Sequence, residues 1–183
     1  MSPRKKRPVR SEVRRERVEH EFPAEFDAES RVLLLGSIPS PRSRQTGFYY
    51  GHPQNRFWKV MAAVLGEPVP GTIPEKKAML RKHRVALWDV LESCTIVGAG
   101  DATIEDPVPN RIAELLEKTK IERIFCTGAA AHALYEKHCR RQTGVEAVRL
   151  PSTSPANCAV SFEELVKAYG AITDRVSPPA RKM

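Results

Sequence analysis

The chain lacks any apolar run approaching the ~20 residues that a membrane-spanning helix requires. Its basic N-terminus is not followed by an apolar segment, which argues against a secretory signal. Hydrophobic residues make up 41% of the 183 residues, enough for the core of one globular domain. These features predict a cytoplasmic protein with no membrane partner.

Closely spaced cysteines are also absent. The four cysteines, Cys94, Cys126, Cys139 and Cys158, lie far apart, and none belongs to a CxxC pair. Zinc and iron–sulfur sites usually depend on such spacing, so we expect reduced thiols and no metal. The GxSxG nucleophile elbow and the P-loop motifs GxxxxGKS and GxxxxGKT are missing too. Their absence argues against an elbow-type hydrolase and a P-loop protein. We expect no cofactor.

Acidic residues are outnumbered, and the imbalance is concentrated at one end. The chain has 30 lysines and arginines against 22 aspartates and glutamates, a net charge of +8. Residues 1–20 hold eight basic residues against three glutamates, a net of +5. Such a segment can release counterions from a polyanion, or it can only keep the protein soluble. We expect residues 1–22 to be a disordered basic tail, 23–175 a single domain and 176–183 a frayed tail.

Short apolar runs alternate with amphipathic segments along the chain. The runs predicted as buried strands are Val32–Leu35, Val85–Leu87 with Trp88, Arg123–Cys126 and Ala147–Leu150. The alternation predicts an α/β protein, a three-layer α/β/α domain with a central, mostly parallel sheet of about four strands. Its functional site should lie at the carboxyl ends of those strands.

The ends of several predicted helices are marked by local sequence signals. The apolar stripe from Phe57 to Leu65 should end at Gly66. Asn110 is expected to cap a helix that contains Ile112. Ser161 and Glu164 have the spacing of a capping box, which predicts a helix start there.

Two polar loops follow predicted strands and should share one rim of the sheet. The first begins at Gly36–Ser40 and continues through two tyrosines and a His-Pro pair to Asn55. The two tyrosines either offer flat faces on which a base can stack or belong to the core. Asn55 is either a polar residue of the site or the cap of the following helix, and it can be both. The second loop, Ser152–Asn157, suits close approach to a nucleic-acid backbone, although an ordinary strand-to-helix connection has the same composition.

The motifs GSIPS, TGFYYGHPQNRFWKV and LPSTSPAN, in that order, resemble the uracil-DNA glycosylase superfamily over about residues 31–170. His52–Val60 is similar to the mismatch-specific uracil/thymine branch. GSIPS and STSPAN are more similar to the hypoxanthine-DNA (deoxyinosine) glycosylase branch. In the mismatch-specific branch, an asparagine that positions water stands where this chain has Ile38, which cannot orient water. The resemblance therefore makes Asn55 the candidate catalytic residue.

The resemblance implies a DNA-repair enzyme that flips a deaminated base, hypoxanthine in preference, out of DNA and hydrolyses its N-glycosidic bond. No lysine stands out as a Schiff-base nucleophile, so base removal without strand cleavage is expected. Its partner would be DNA containing a deaminated base, and a prokaryotic protein would be associated with the nucleoid. The alternatives are a catalytically weak damaged-DNA-binding protein of the same fold, a uracil/thymine mismatch glycosylase, and an unrelated metabolic α/β enzyme.

Besides Asn55, the candidate site residues fall into two groups, a base pocket and a DNA-binding loop. Asp101 is the weaker base-pocket candidate, because an aspartate in a solvated loop would give the same sequence signal. The base-pocket candidates are Gly36, Ser37, Ile38, Pro39, Ser40, Tyr49, Tyr50, His52 and Asp101. The candidate DNA-binding loop consists of Ser152, Thr153, Ser154, Pro155, Ala156 and Asn157.

Overall fold

The computed structural model describes residues 14–97 and 103–174. The strands are β1 Arg15–Glu19, β2 Val32–Gly36, β3 Val85–Asp89, β4 Leu91–Val97, β5 Ile104–Pro109, β6 Arg123–Thr127 and β7 Ala147–Leu150. The helices are α1 Pro41–Thr46, α2 Phe57–Leu65, α3 Ile73–Lys82, α4 Ile112–Glu117, α5 Ala129–His138, α6 Arg140–Thr143 and α7 Phe162–Tyr169, followed by a 3-10 turn at Gly170–Thr173.

The four predicted strands form the central sheet, in the order β3-β2-β6-β7. All three pairings are parallel, and Gly36 at the end of β2 lies opposite Asp89 at the end of β3. Every residue of β2 is buried, as expected for a strand covered on both faces. The parallel four-strand prediction is confirmed, and each observed strand exceeds its predicted run by at most one residue.

Helices cover both faces of this sheet. On β2, Val32 and Leu34 point to one face, where they join a buried cluster with residues of α2, α3 and α7. Leu33 and Leu35 point to the other face, where they join residues of α4 and α5. The period of two along the strand therefore divides its side chains between two cores, and the predicted three-layer arrangement is confirmed.

A second, antiparallel sheet of order β1-β4-β5 was not predicted. In β1, RERVE, only Val18 is buried, and the charged neighbours mask the strand signal in the sequence. The predicted tail boundary at residue 22 is therefore wrong for Arg15–Glu19, which pairs with β4. Arg17 is anchored in this sheet, because its Nη2 donates to Ser93 Oγ at 2.6 Å.

The helix ends follow the sequence signals with one exception. α2 ends at Gly66, whose φ of 66° is left-handed, and α7 begins with the predicted capping box of Ser161 and Glu164. Asn110, however, does not cap α4. Its buried Nδ2 instead donates to the backbone oxygen of Asp89 at 2.9 Å. Over residues 14–97 and 103–174, no helix is long and apolar enough to cross a bilayer.

Candidate active site

The loops after β2 and β7 meet at the carboxyl edge of the central sheet. Although β6 separates the two strands in the sheet, the segment before α2 reaches across to the segment after β7. The backbone N–H of Arg56 donates to the oxygen of Thr153 at 3.1 Å. The prediction that the two polar loops share one rim is confirmed.

Asn55 is held by donors from both loops. Its Oδ1 accepts a hydrogen bond from the backbone N–H of Phe57 at 2.9 Å and another from Thr153 Oγ1 at 2.8 Å. Because a backbone N–H can only donate, the amide orientation is fixed with its oxygen toward α2. Both acceptor positions of the oxygen are occupied, and no residue in the described part of the chain bonds to Nδ2. Asn55 thus supports the start of α2 and presents an N–H donor group.

Arg56 ties the second loop to the first, a role that the sequence did not reveal. Its Nη1 donates to the backbone oxygen of Val160 at 2.6 Å, and its Nη2 donates to that of Asn157 at 2.8 Å. The guanidinium group therefore spans the C-terminal end of the second loop, while the backbone of Arg56 bonds to Thr153 at the other end. The planar guanidinium group suits this role, because its two terminal nitrogens can donate hydrogen bonds to two carbonyl oxygens at once.

The second loop is organised by its own short side chains. Asn157 Nδ2 donates to the backbone oxygen of Ser152 at 2.9 Å, and Ser152 Oγ accepts from the N–H of Ser154 at 3.2 Å. Thr153 is buried, whereas Pro155 and Ala156 are exposed at the tip. The loop therefore turns one side chain toward Asn55 and presents a small apolar tip to solvent.

The two adjacent tyrosines have different environments. Tyr50 is half-buried and stacks on Phe57 at 3.7 Å between ring centroids, and its hydroxyl lies 3.0 Å from Thr127 Oγ1. Its φ of 53° lies in the left-handed region, which is unusual for a residue with a bulky side chain. Such a backbone conformation persists only where the surrounding structure holds it in place. Burial, and then the charge of Asp89, raise the pKa of Tyr50 well above its ordinary value, so its hydroxyl stays protonated.

Tyr49, in contrast, belongs to the core. Only 2% of its surface is exposed, and its hydroxyl donates to the backbone oxygen of Pro23 at 2.9 Å. Burial raises the pKa of the Tyr49 hydroxyl far above its usual range. The prediction that Tyr49 lines the base pocket is wrong, because its ring packs against Phe22 and Phe48.

The GSIPS segment is mostly interior. Ser37, Ile38 and Pro39 are buried, and Ile38 packs in the core on the side of α4 and α5. Ile38 is thus a core residue and not a lining residue of the base pocket. Ser40 is exposed and caps α1 by accepting a hydrogen bond from the N–H of Ser43 at 3.2 Å. Further along the same loop, residues 50–55 are half-buried or exposed.

The remaining two base-pocket candidates are His52 and Asp101. His52 is half-buried, and its Nδ1 accepts a hydrogen bond from the N–H of Gln54 at 3.1 Å. With Nδ1 as acceptor, the ring nitrogen left to carry a proton is Nε2. Asp101 lies outside the described residues. In the part of the chain that is described, no group of three His, Cys, Asp or Glu side chains is placed to hold a metal ion.

The edge of the sheet also holds a buried acid–base pair that the sequence reading missed. His20 Nε2 lies 2.8 Å from Asp89 Oδ2, and the two side chains are 2% and 7% exposed. Asp89 is the last residue of β3, and a polar residue directly after the apolar run VALW was the sequence signal that could have indicated it as a site residue. His20 gave no signal, because it lies 69 positions away in a segment predicted to be a tail.

Gly36 is required for space and not for a turn. Its backbone is not left-handed, but a Cβ atom there would lie 2.3 Å from Asp89 Oδ1. Gly36→Ala is expected to lower the free energy of unfolding by about 1–3 kcal/mol, because the carboxylate must move. Urea denaturation measures this loss. Gly170→Ala is the matched control, since its Cβ would meet nothing within 4 Å. Equal stability of the two variants would contradict the steric explanation.

A parallel α/β sheet with polar loops at its carboxyl edge, here carrying the fixed amide of Asn55 and the ring of Tyr50, is the arrangement on which α/β enzymes typically build their sites. The chain belongs to the uracil DNA glycosylase superfamily, whose family model matches residues 23–171. This match confirms the family resemblance of the loop motifs, and it supports a DNA glycosylase activity.

Relatives and a solved structure agree with this assignment. A protein named hypoxanthine DNA glycosylase, from Methanosarcina acetivorans, is 36% identical over 137 residues, which cover 74% of this chain and 86% of that protein. A protein of the same name from Methanosarcina barkeri is 29% identical over 137 residues, with the same coverage. A solution NMR structure from Methanosarcina acetivorans, provisionally identified as a uracil DNA glycosylase, has a TM-score of 0.72 and 32% identity, covering 85% of this chain and 99% of that one.

Proposed function

We propose that the chain removes hypoxanthine from DNA by flipping the base and hydrolysing its N-glycosidic bond, without cutting the strand. The observation that carries this proposal is the fixed amide of Asn55, whose saturated Oδ1 leaves Nδ2 as a donor. The two relatives named hypoxanthine DNA glycosylase support the same base.

The donor character of Asn55 favours hypoxanthine over adenine. Hypoxanthine presents an oxygen acceptor at position 6, whereas adenine presents an amino donor there. An Nδ2 donor therefore gains a hydrogen bond to the first base and meets a second donor on the other. Negative charge spreads onto this oxygen as the base leaves, so the same hydrogen bond strengthens in the transition state.

Base flipping would place hypoxanthine between the two loops. The ring of Tyr50 is backed by Phe57 and fixed at its hydroxyl by Thr127, so it offers a rigid platform for stacking. Unstacking a base costs a few kcal/mol, about 2–4, and the cost is smallest for a mispaired base. The tip at Pro155 and Ala156 would fill the space that the base vacates, while its backbone contacts the phosphates.

Hydrolysis then needs no covalent intermediate with the protein. The electron pair of the C1′–N9 bond leaves with the base, water adds to C1′, and the proton that the water releases neutralises the departing base anion. Neither residues 50–57 nor the second loop, Ser152–Asn157, contains a lysine. The expected product is an abasic site in an intact strand.

A panel of duplexes tests this proposal, each with a single deoxyinosine, deoxyuridine or deoxyxanthosine. Mass spectrometry measures the free base, and alkali then reveals abasic sites. Release of hypoxanthine with the strand intact before alkali supports the proposal. Release of uracil alone indicates the uracil/thymine alternative, and tight binding without any free base indicates a damaged-DNA-binding protein.

A further inference from the structure

Cleavage of the glycosidic bond leaves positive charge on the sugar, and neither Asn55 nor Ile38 offers a negative group to stabilise it. The oxygen of Asn55 is committed to Phe57 and Thr153. Ile38 is apolar and lies in the core. A negative group at the same edge of the sheet would stabilise this charge.

Asp89 is such a group. It ends β3 beside Gly36, at the carboxyl edge where this fold places its site. The position that a Cβ of Gly36 would occupy is 2.3 Å from Asp89 Oδ1 and 3.6 Å from the hydroxyl of Tyr50. The carboxylate thus lies near the hydroxyl end of the Tyr50 ring, which is proposed to stack on the base.

His20 fixes the orientation of this carboxylate. Its Nε2 lies 2.8 Å from Asp89 Oδ2, and the ring is held by edge contact with Phe22 at 4.8 Å between centroids. Burial, and then the charge of Asp89, raise the pKa of Tyr50, as expected for a carboxylate close to that hydroxyl. A buried acid–base pair is weak evidence for stability, because desolvation offsets its attraction. Its location among site residues favours a functional role.

We propose that Asp89, held by His20, is the negative charge that stabilises the sugar while the glycosidic bond breaks. This inference rests on the proposed function. Asp89 forms no bond to the sugar: the electron pair of the C1′–N9 bond leaves with the base, and water supplies the new C1′–O bond.

The variant Asp89→Asn tests the charge directly, because an asparagine oxygen can still accept a hydrogen bond from His20. We expect its single-turnover rate of hypoxanthine release to fall by about 100-fold. Affinity for a duplex with 2′-fluoro-deoxyinosine, which resists cleavage, should stay within about twofold. His20→Gln keeps the charge but loosens it, and its rate should fall by about 10-fold. Glu92→Gln, which changes an exposed carboxylate on β4, is the matched control and should match the wild type.

Four results would overturn the inference. One is a folded Asp89→Asn variant whose rate is within about threefold of wild type. Another is an affinity loss as large as the rate loss, which indicates a structural role only. If Asp89→Asn does not fold, a folded His20→Gln variant with the wild-type rate is decisive in the same way. A wild-type chain that releases no base overturns the proposed function and this inference together, whereas an active wild type with an unaffected Asp89→Asn overturns the inference alone.

Discussion

Asn55→Asp is expected to lower the single-turnover rate of hypoxanthine release by about 100- to 1,000-fold while leaving the fold intact. Aspartate keeps the oxygen that accepts from the N–H of Phe57 and from Thr153 Oγ1. It replaces the Nδ2 donor with a second oxygen, which repels the charge on the leaving base. The variant therefore separates the two roles of this residue, support of α2 and donation to substrate.

Asn55→Ala provides the comparison, because it removes both roles. Its free energy of unfolding should fall by about 1 kcal/mol, as when a helix cap is lost, and its rate should fall as far as that of Asn55→Asp. Thermal denaturation and single-turnover assays on the deoxyinosine duplex measure the two effects. An Asn55→Asp variant with the wild-type rate would show that the donor is not used, whatever base the wild type removes.

The central sheet could be predicted because its signals are local. An all-apolar strand such as Val32–Gly36 reads as buried without knowledge of its neighbours. The antiparallel sheet could not, because β1 carries four charged residues around Val18 and becomes a strand only when it pairs with β4. Asn110 shows the same limit of sequence-based prediction. Its position just before a helix is a local signal for a cap, but its buried hydrogen bond to the backbone oxygen of Asp89 depends on tertiary packing.

In the candidate site, too, some features could be predicted from local sequence signals and others depend on packing between distant residues. The motif order placed Asn55 near the second loop, and their contact through Thr153 spans 98 positions of sequence. Spacing alone did not separate the core residue Tyr49 from the half-buried Tyr50 beside it, since both follow the same motif. His20 carries no motif and was assigned to a tail, so the sequence offered no reason to pair it with the carboxylate at the end of β3.

Arg56→Met is expected to lower kcat/KM for deoxyinosine DNA by about 100-fold, because a displacement of about 1 Å in a positioning element can cost that much. Methionine preserves the length of the side chain but loses the hydrogen bonds to the oxygens of Val160 and Asn157. Charge-assisted hydrogen bonds of this kind stabilise a protein by about 1.5–3 kcal/mol, so the free energy of unfolding should fall by about 2 kcal/mol.

Hydrogen exchange identifies where that stability is lost. Amides of residues 153–160 should exchange faster in Arg56→Met, whereas those of the buried strand β2 should keep their protection. Arg56→Lys should recover part of the activity, since an ammonium group can bond to one carbonyl but not span two. The matched control is Arg141→Met, which removes an exposed arginine from α6. Unchanged exchange in residues 153–160, together with kcat/KM within about threefold of wild type, would show that Arg56 does not position the second loop.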